Sequence, residues 1–108
     1  MNREIIYDEV LKLEGGVHRK GFEYIVSGIE KLYNEPNLKM MALYREIAKE
    51  NNDTPSAVER AIRYYIQKCM IEGNKEEINK LRLKIKQSGN PIITEFLKAF
   101  TLYLKHRY

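Results

Sequence analysis

Residues 40–72 read MMALYREIAKENNDTPSAVERAIRYYIQKCMIE, and the fold turns on how this stretch divides. Met40, Leu43, Tyr44, Ile47 and Ala48 recur at helical spacing up to Glu50, which predicts a short amphipathic helix. Asn51-Asn52-Asp53 breaks the pattern and Thr54-Pro55 restarts it. Threonine is a good N-cap, and proline suits the first helical position because its φ is preset and it has no N–H to leave unpaired. The second helix is predicted from Pro55 to about Glu72, closed by Gly73. A short helix, a tight link over Asn51 to Thr54 and a longer helix make the layout of a helix-turn-helix.

The longer helix has two unlike faces. At about 100° per residue, Ser56, Arg60, Arg63 and Gln67 fall within roughly 60° of one another, with Glu59 beside them. Val58, Ile62, Tyr65 and Cys69 cluster on the opposite side. The polar set has the chemistry of a major-groove reader. An arginine fork pairs with O6 and N7 of guanine, glutamate accepts from the cytosine amino group, and serine or glutamine contacts a base or a phosphate. A plainer reading stands beside it: Glu59 and Arg63, four apart, form a surface ion pair worth roughly 0.2–0.5 kcal/mol.

Outward from this pair, residues 2–13 place Ile6, Val10 and Leu13 on one helical face, and Gly15-Gly16 stops the pattern. From Lys20 to Asn34 the apolar set is Phe22, Ile25, Val26, Ile29, Leu32 and Tyr33, which predicts a helix ending before Pro36. Asn74, with Glu77 three positions on, reads as the cap of a fifth helix. The run Lys80 to Lys86 alternates strictly, which is a strand signal. It predicts an extended segment with Leu83 and Ile85 turned inward and Arg82, Lys84 and Lys86 turned out, before a turn at Ser88-Gly89-Asn90-Pro91. Thr94 is the predicted cap of a last helix with the stripe Phe96, Leu97, Phe100, Tyr103 and Leu104; Thr101 lies on its margin and Leu102 off it. The predicted class is all-α: six helices with a helix-turn-helix and one short extended basic segment after helix five.

The chain has 108 residues, about one domain's length, and its 44% hydrophobic and 31% charged residues suffice for a core with a soluble surface. Apolar residues never approach the roughly 18 consecutive positions of a membrane span, and the acids within Met1 to Leu13 do not suit a signal peptide. A cytoplasmic protein is expected. The single cysteine, Cys69, allows neither an internal disulfide nor a cysteine-based metal cluster, and it reads as a buried structural thiol. Two histidines, no Gly-rich phosphate loop and no nucleophile elbow argue against an enzyme, a cofactor or a metal centre. His18 has no second ligand at metal-binding spacing and reads as a cap or packing residue at the start of helix two.

Charge is uneven along the chain. Residues 1–53 hold 8 basic and 10 acidic side chains (−2), residues 54–73 hold 3 and 2 (+1), and residues 74–108 hold 8 and 3 (+5). A basic last third suits an anionic partner such as nucleic acid. Arg82, Lys84 and Lys86 either form a solvated edge or reach phosphates beside the reading helix. Tyr33, Tyr44 and Tyr65 fall on core stripes, whereas Tyr64 and Tyr108 are candidates for a partner surface.

The run Leu43-Tyr44-Arg45-Glu46-Ile47-Ala48-Lys49, followed by Ser56-Ala57-Val58-Glu59-Arg60-Ala61-Ile62-Arg63, resembles the DNA-binding effector domain of the stage-zero sporulation response regulators of endospore-forming bacteria. His18-Arg19-Lys20-Gly21-Phe22 is similar to the segment opening that family's second helix, Gly73-Asn74 to the end of its reading helix, and Pro91 with Glu95-Phe96 to the start of its last helix. The resemblance spans about residues 15–108. It implies a six-helix fold that binds promoter DNA at boxes of the TGTCGAA type, often in tandem. It also implies that Ser56, Glu59, Arg60 and Arg63 occupy base- and backbone-contacting positions.

The chain departs from that pattern at Met70, where a tryptophan is usual, and over Arg82 to Ile85, where a Phe-Gly-Tyr-type stretch is usual. Ala57 replaces a common arginine, Asn90 a common lysine and Tyr64 a common histidine, so a shifted box preference is expected. In the family a phosphoacceptor receiver precedes this domain, and these residues contain no receiver-like βα repeat. Residues 1–108 therefore read as one helix-turn-helix domain, a sequence-specific regulator whose partners are double-stranded DNA, a second copy on tandem boxes, or a protein regulator. The alternative is a protein-interaction module or antagonist that keeps the fold but pairs with a full-length regulator.

Overall fold

The long amphipathic helix predicted near residue 20 is the hub of the molecule. In the computed structural model, which describes residues 1–16, 19–84 and 91–108 (Arg19 without its side chain), six helices follow in order. They are α1 (Arg3–Leu11), α2 (Arg19–Asn34), α3 (Met40–Glu50), α4 (Pro55–Glu72), α5 (Lys75–Asn79) and α6 (Ile93–Arg107). No strand occurs among the described residues. Helix α2 touches α1, α3, α4 and α6. Its apolar side is accordingly broad: Phe22, Ile25, Val26, Ile29 and Leu32 are buried, and so are Tyr24 and Ser27. Ile6 and Val10 of α1, Leu43 and Ile47 of α3, Ile62 and Ile66 of α4, and Phe96, Leu97, Phe100 and Leu104 of α6 complete the core. Each such side chain contributes about 1.5–3 kcal/mol when fully withdrawn from water.

Two local devices set the ends. The Asn2 side chain accepts from the Glu4 amide at 2.7 Å and starts α1. Glu14 and Gly16, at φ 54° and 89°, then turn the chain back toward α2. Between α2 and α4 the approach is closer than side chains allow. A Cβ on Gly21 would lie 2.6 Å from the Ala61 carbonyl oxygen and 2.8 Å from the Tyr65 Cβ. Only glycine lets the two backbones meet there.

The described part of the basic run after α5, up to Lys84, forms no strand. The amides of Lys80, Leu81 and Arg82 donate to the carbonyls of Glu77, Ile78 and Asn79, which prolongs α5 as tight turns. Arg82 then takes φ 52°, in the left-handed region. An alternating run with no neighbouring strand has no ladder to join, so local turn bonds prevail. Leu81 is buried, Leu83 is half-buried as expected, and Arg82 and Lys84 are exposed. Ile85, Lys86 and the expected turn at Ser88-Gly89-Asn90 lie outside the described residues, as does His18.

Thr94 does not cap α6. The helix begins at Ile93 with Ile92 as its N-cap, and no side chain serves the cap. Pro91 is buried and the chain turns helical almost at once after it, which places Thr94 already inside the first turn. Glu95 in that turn, and Lys105, His106 and Arg107 in the last, complement the helix dipole instead.

Gly21→Ala is expected to lower unfolding stability by about 1–3 kcal/mol, because the added methyl meets backbone that cannot yield without separating α2 from α4. Gly28→Ala on the same helix meets only Leu43 and Leu97 methyl carbons at 3.5–3.8 Å and is the tolerated control. Urea melts that rank the two equally would contradict this view of the α2–α4 contact.

Candidate nucleic-acid interface

The site begins with the turn that presents α4. Asn52 stands at φ 53°, a conformation asparagine accepts more readily than most residues. It lets the Asp53 amide reach back to the Ala48 carbonyl at 2.9 Å, closing the end of α3. The Asn51 Nδ2 donates to the Ile47 carbonyl at 2.7 Å. The Thr54 Oγ1 accepts from the Ala57 amide at 3.1 Å, and Pro55 occupies the first turn, as the sequence predicts.

Asp53, just outside the cap, is held on both oxygens. Its Oδ1 accepts from the Thr54 amide at 2.9 Å, and its Oδ2 accepts from the Tyr24 hydroxyl at 2.7 Å. The Lys20 Nζ lies 4.0 Å from the same Oδ2. The Tyr24 hydroxyl bond, the Thr54 amide and the charges of Lys20 and Arg60 hold the Asp53 carboxyl below the usual aspartate range. Burial and the neighbouring Asp53 push the Tyr24 phenol up to about 12.

Along α4 the two faces separate as predicted. Val58, Ile62, Tyr65 and Cys69 are buried, and Ser56, Arg60, Arg63 and Gln67 are exposed, with Glu59 half-buried among them. Ile66 is buried as well, a core residue the sequence signals only by its place one turn beyond Ile62. The ion pair of the plainer reading is present: Arg63 Nη1 donates to Glu59 Oε2 at 2.8 Å. The Tyr44 phenol is pushed up by burial and by the Glu59 charge, against which Arg63 acts. Burial drives the Cys69 thiol up to about 11, so it is inert packing on the far side of the helix.

Other predicted residues fall elsewhere. Arg82 lines a cleft between α5 and α6 with Lys80, Lys98 and His106, interleaved with Glu76 and Glu95, and so belongs to a different cluster from the α4 face. Lys84 is exposed, with its amide directed at the Glu95 carboxylate at 3.5 Å, and Lys86 lies outside the described residues. The Tyr64 ring is 44% exposed beneath the Lys68 ammonium. The Tyr108 hydroxyl instead donates to the buried Glu9 at 2.8 Å, which makes it a tie between α6 and α1. Tyr24 was not singled out by the sequence: its partner is 29 positions away, and it stands off the apolar stripe.

Among the described residues no group of three or more histidine, cysteine, aspartate or glutamate side chains is placed to hold a metal ion. No described helix is long and apolar enough to cross a membrane. The family model described as sporulation initiation factor Spo0A C terminal matches residues 6–104.

The depressed Asp53 pKa has a signed consequence. A carboxyl whose folded pKa lies below its unfolded value contributes stability above the unfolded pKa and loses it as pH falls through the folded one. The advantage of the wild-type chain over Asp53→Asn in urea midpoint is therefore expected to be full near neutral pH and to shrink as the pH falls through and below the ordinary aspartate range. A difference that stays constant over that range would contradict the assignment.

Proposed function

Because the chain belongs to the sporulation initiation factor Spo0A C-terminal family, a family of DNA-binding regulatory domains, we propose that it reads promoter DNA with α4 in the major groove. The observation that carries this reading is the exposed row Ser56, Arg60, Arg63 and Gln67, with Glu59 beside it, on a helix whose opposite face is locked into the core. Arg60 and Arg63 supply forks for guanine, Glu59 an acceptor for the cytosine amino group, and Ser56 and Gln67 shorter or longer polar contacts at either end. Boxes of the TGTCGAA type offer both bases. Glu59 also holds the Arg63 fork before DNA arrives, which limits the rotamer freedom lost on binding.

Arg82, Lys84 and Lys86 are assigned to phosphates flanking the box, where charge contributes affinity without sequence information. Residues 1–108 act as one regulatory domain in the cytoplasm, alone or as two copies on tandem boxes, under the control of abundance or of a protein regulator.

Fluorescence anisotropy against a TGTCGAA duplex and a scrambled duplex, titrated with salt, tests the reading. Arg60→Ala and Arg63→Ala are each expected to cost about 1–3 kcal/mol on the box and less on the scrambled duplex. Arg82→Ala is expected to weaken both duplexes alike and to lower the salt slope by about one. Equal losses on both duplexes for Arg60→Ala would contradict base reading. A chain with no measurable DNA affinity that captures a full-length regulator would favour the alternative, an interaction module on the same fold.

A further inference from the structure

We propose that Tyr24 and Asp53 form a latch that aims the first turn of α4, making Tyr24 a positioning residue for DNA reading although it lies outside the helix-turn-helix. The inference rests on the reading of α4 given above.

The first deep anchor of α4 in the core is Val58, and the close contact with α2 at Ala61 comes a turn later. Residues 54–57 run ahead of both anchors, and Ser56 is exposed there. Packing alone does not fix the direction in which this turn points. The latch does so through a short chain of bonds.

Tyr24 is only 4% exposed, so the core packed around α2 sets the position of its side chain. Its hydroxyl donates to Asp53 Oδ2 at 2.7 Å, a distance typical of a bond to an ionised acceptor. The other carboxylate oxygen holds the Thr54 amide, and the Thr54 hydroxyl holds that of Ala57. Hub helix, turn and reading helix are thus joined by three successive hydrogen bonds. An aspartate at the DNA-facing end of a reading helix repels phosphates. Its charge is offset by Lys20 at 4.0 Å and, more weakly, by the positive charge of Arg60.

Tyr24→Phe keeps the ring and removes only the donor. On the TGTCGAA duplex its Kd is expected to rise roughly tenfold, the size of one hydrogen bond to a charged group, with less than about a twofold change on the scrambled duplex. Asp53→Asn is expected to lower the box-to-scrambled ratio similarly, and the double variant to lose no more than either single one. Hydrogen exchange gives a readout independent of DNA: the Ala57 amide of Tyr24→Phe is expected to exchange faster, while those of Ile62 and Ile66 keep their protection. A wild-type box-to-scrambled ratio in Tyr24→Phe, with Arg60→Ala losing it, would overturn the latch and leave the reading of α4 standing. Unchanged Ala57 exchange would also overturn it. A wild-type chain that does not discriminate the two duplexes would overturn both.

Discussion

The approach of α2 to α4 at Gly21 is the contact on which the rest of the structure depends. With the Ala61 carbonyl where a Cβ would have to sit, the two helices cross backbone against backbone. Tyr65 and Phe22 then meet edge to face beside the crossing, with centroids 5.9 Å apart. Because α2 also carries contacts to α1, α3 and α6, this crossing seats α4 against the hub of the bundle, and α3, α5 and α6 add direct contacts of their own with α4. The polar face of α4 points outward because its apolar face has no other place to go. A rigid scaffold with a reading edge is what base recognition requires, since a fork displaced by about 1 Å no longer satisfies two acceptors at once.

Charge works differently from packing here. Ion pairs such as Lys31 with Glu46 and Glu50, or Arg3 with Glu23 and Glu30, bridge helices at the surface, and pairs of this kind contribute roughly 0–1 kcal/mol each. The charges on and before α4 matter for direction. Glu59 holds Arg63, and Asp53 holds the turn, so two acids stand at a face otherwise suited to DNA. In the proposed reading of DNA their cost in phosphate repulsion is local, and each ties down a group that would otherwise need ordering on binding.

Much of this was legible in the sequence because the decisive signals are local. Thr54-Pro55 and the Asn-Asn-Asp break place the limits of α3 and α4, since caps and breakers act within one turn of themselves. The two faces of α4 follow from helical periodicity alone. The signals that misled were also local, but incomplete. Alternation from Lys80 to Lys86 describes a strand only if another strand pairs with it, and none does among the described residues. Thr94 has the chemistry of a cap but stands two positions beyond the one used. The Tyr24 to Asp53 bond spans 29 positions and no periodic pattern marks it; tertiary structure alone brings the two together. Membership of the family over residues 6–104 carries DNA binding at the level of the domain, and α4 is the face proposed for it.

The central claim is that α4 enters the groove by its capped end. The most direct test is a titration of the isotope-labelled chain with the TGTCGAA duplex, followed by backbone amide shifts. The account predicts the largest changes over residues 54–67, with those of α1 and the far end of α6 nearly still. Changes centred instead on the cleft between α5 and α6, with α4 unmoved, would contradict it.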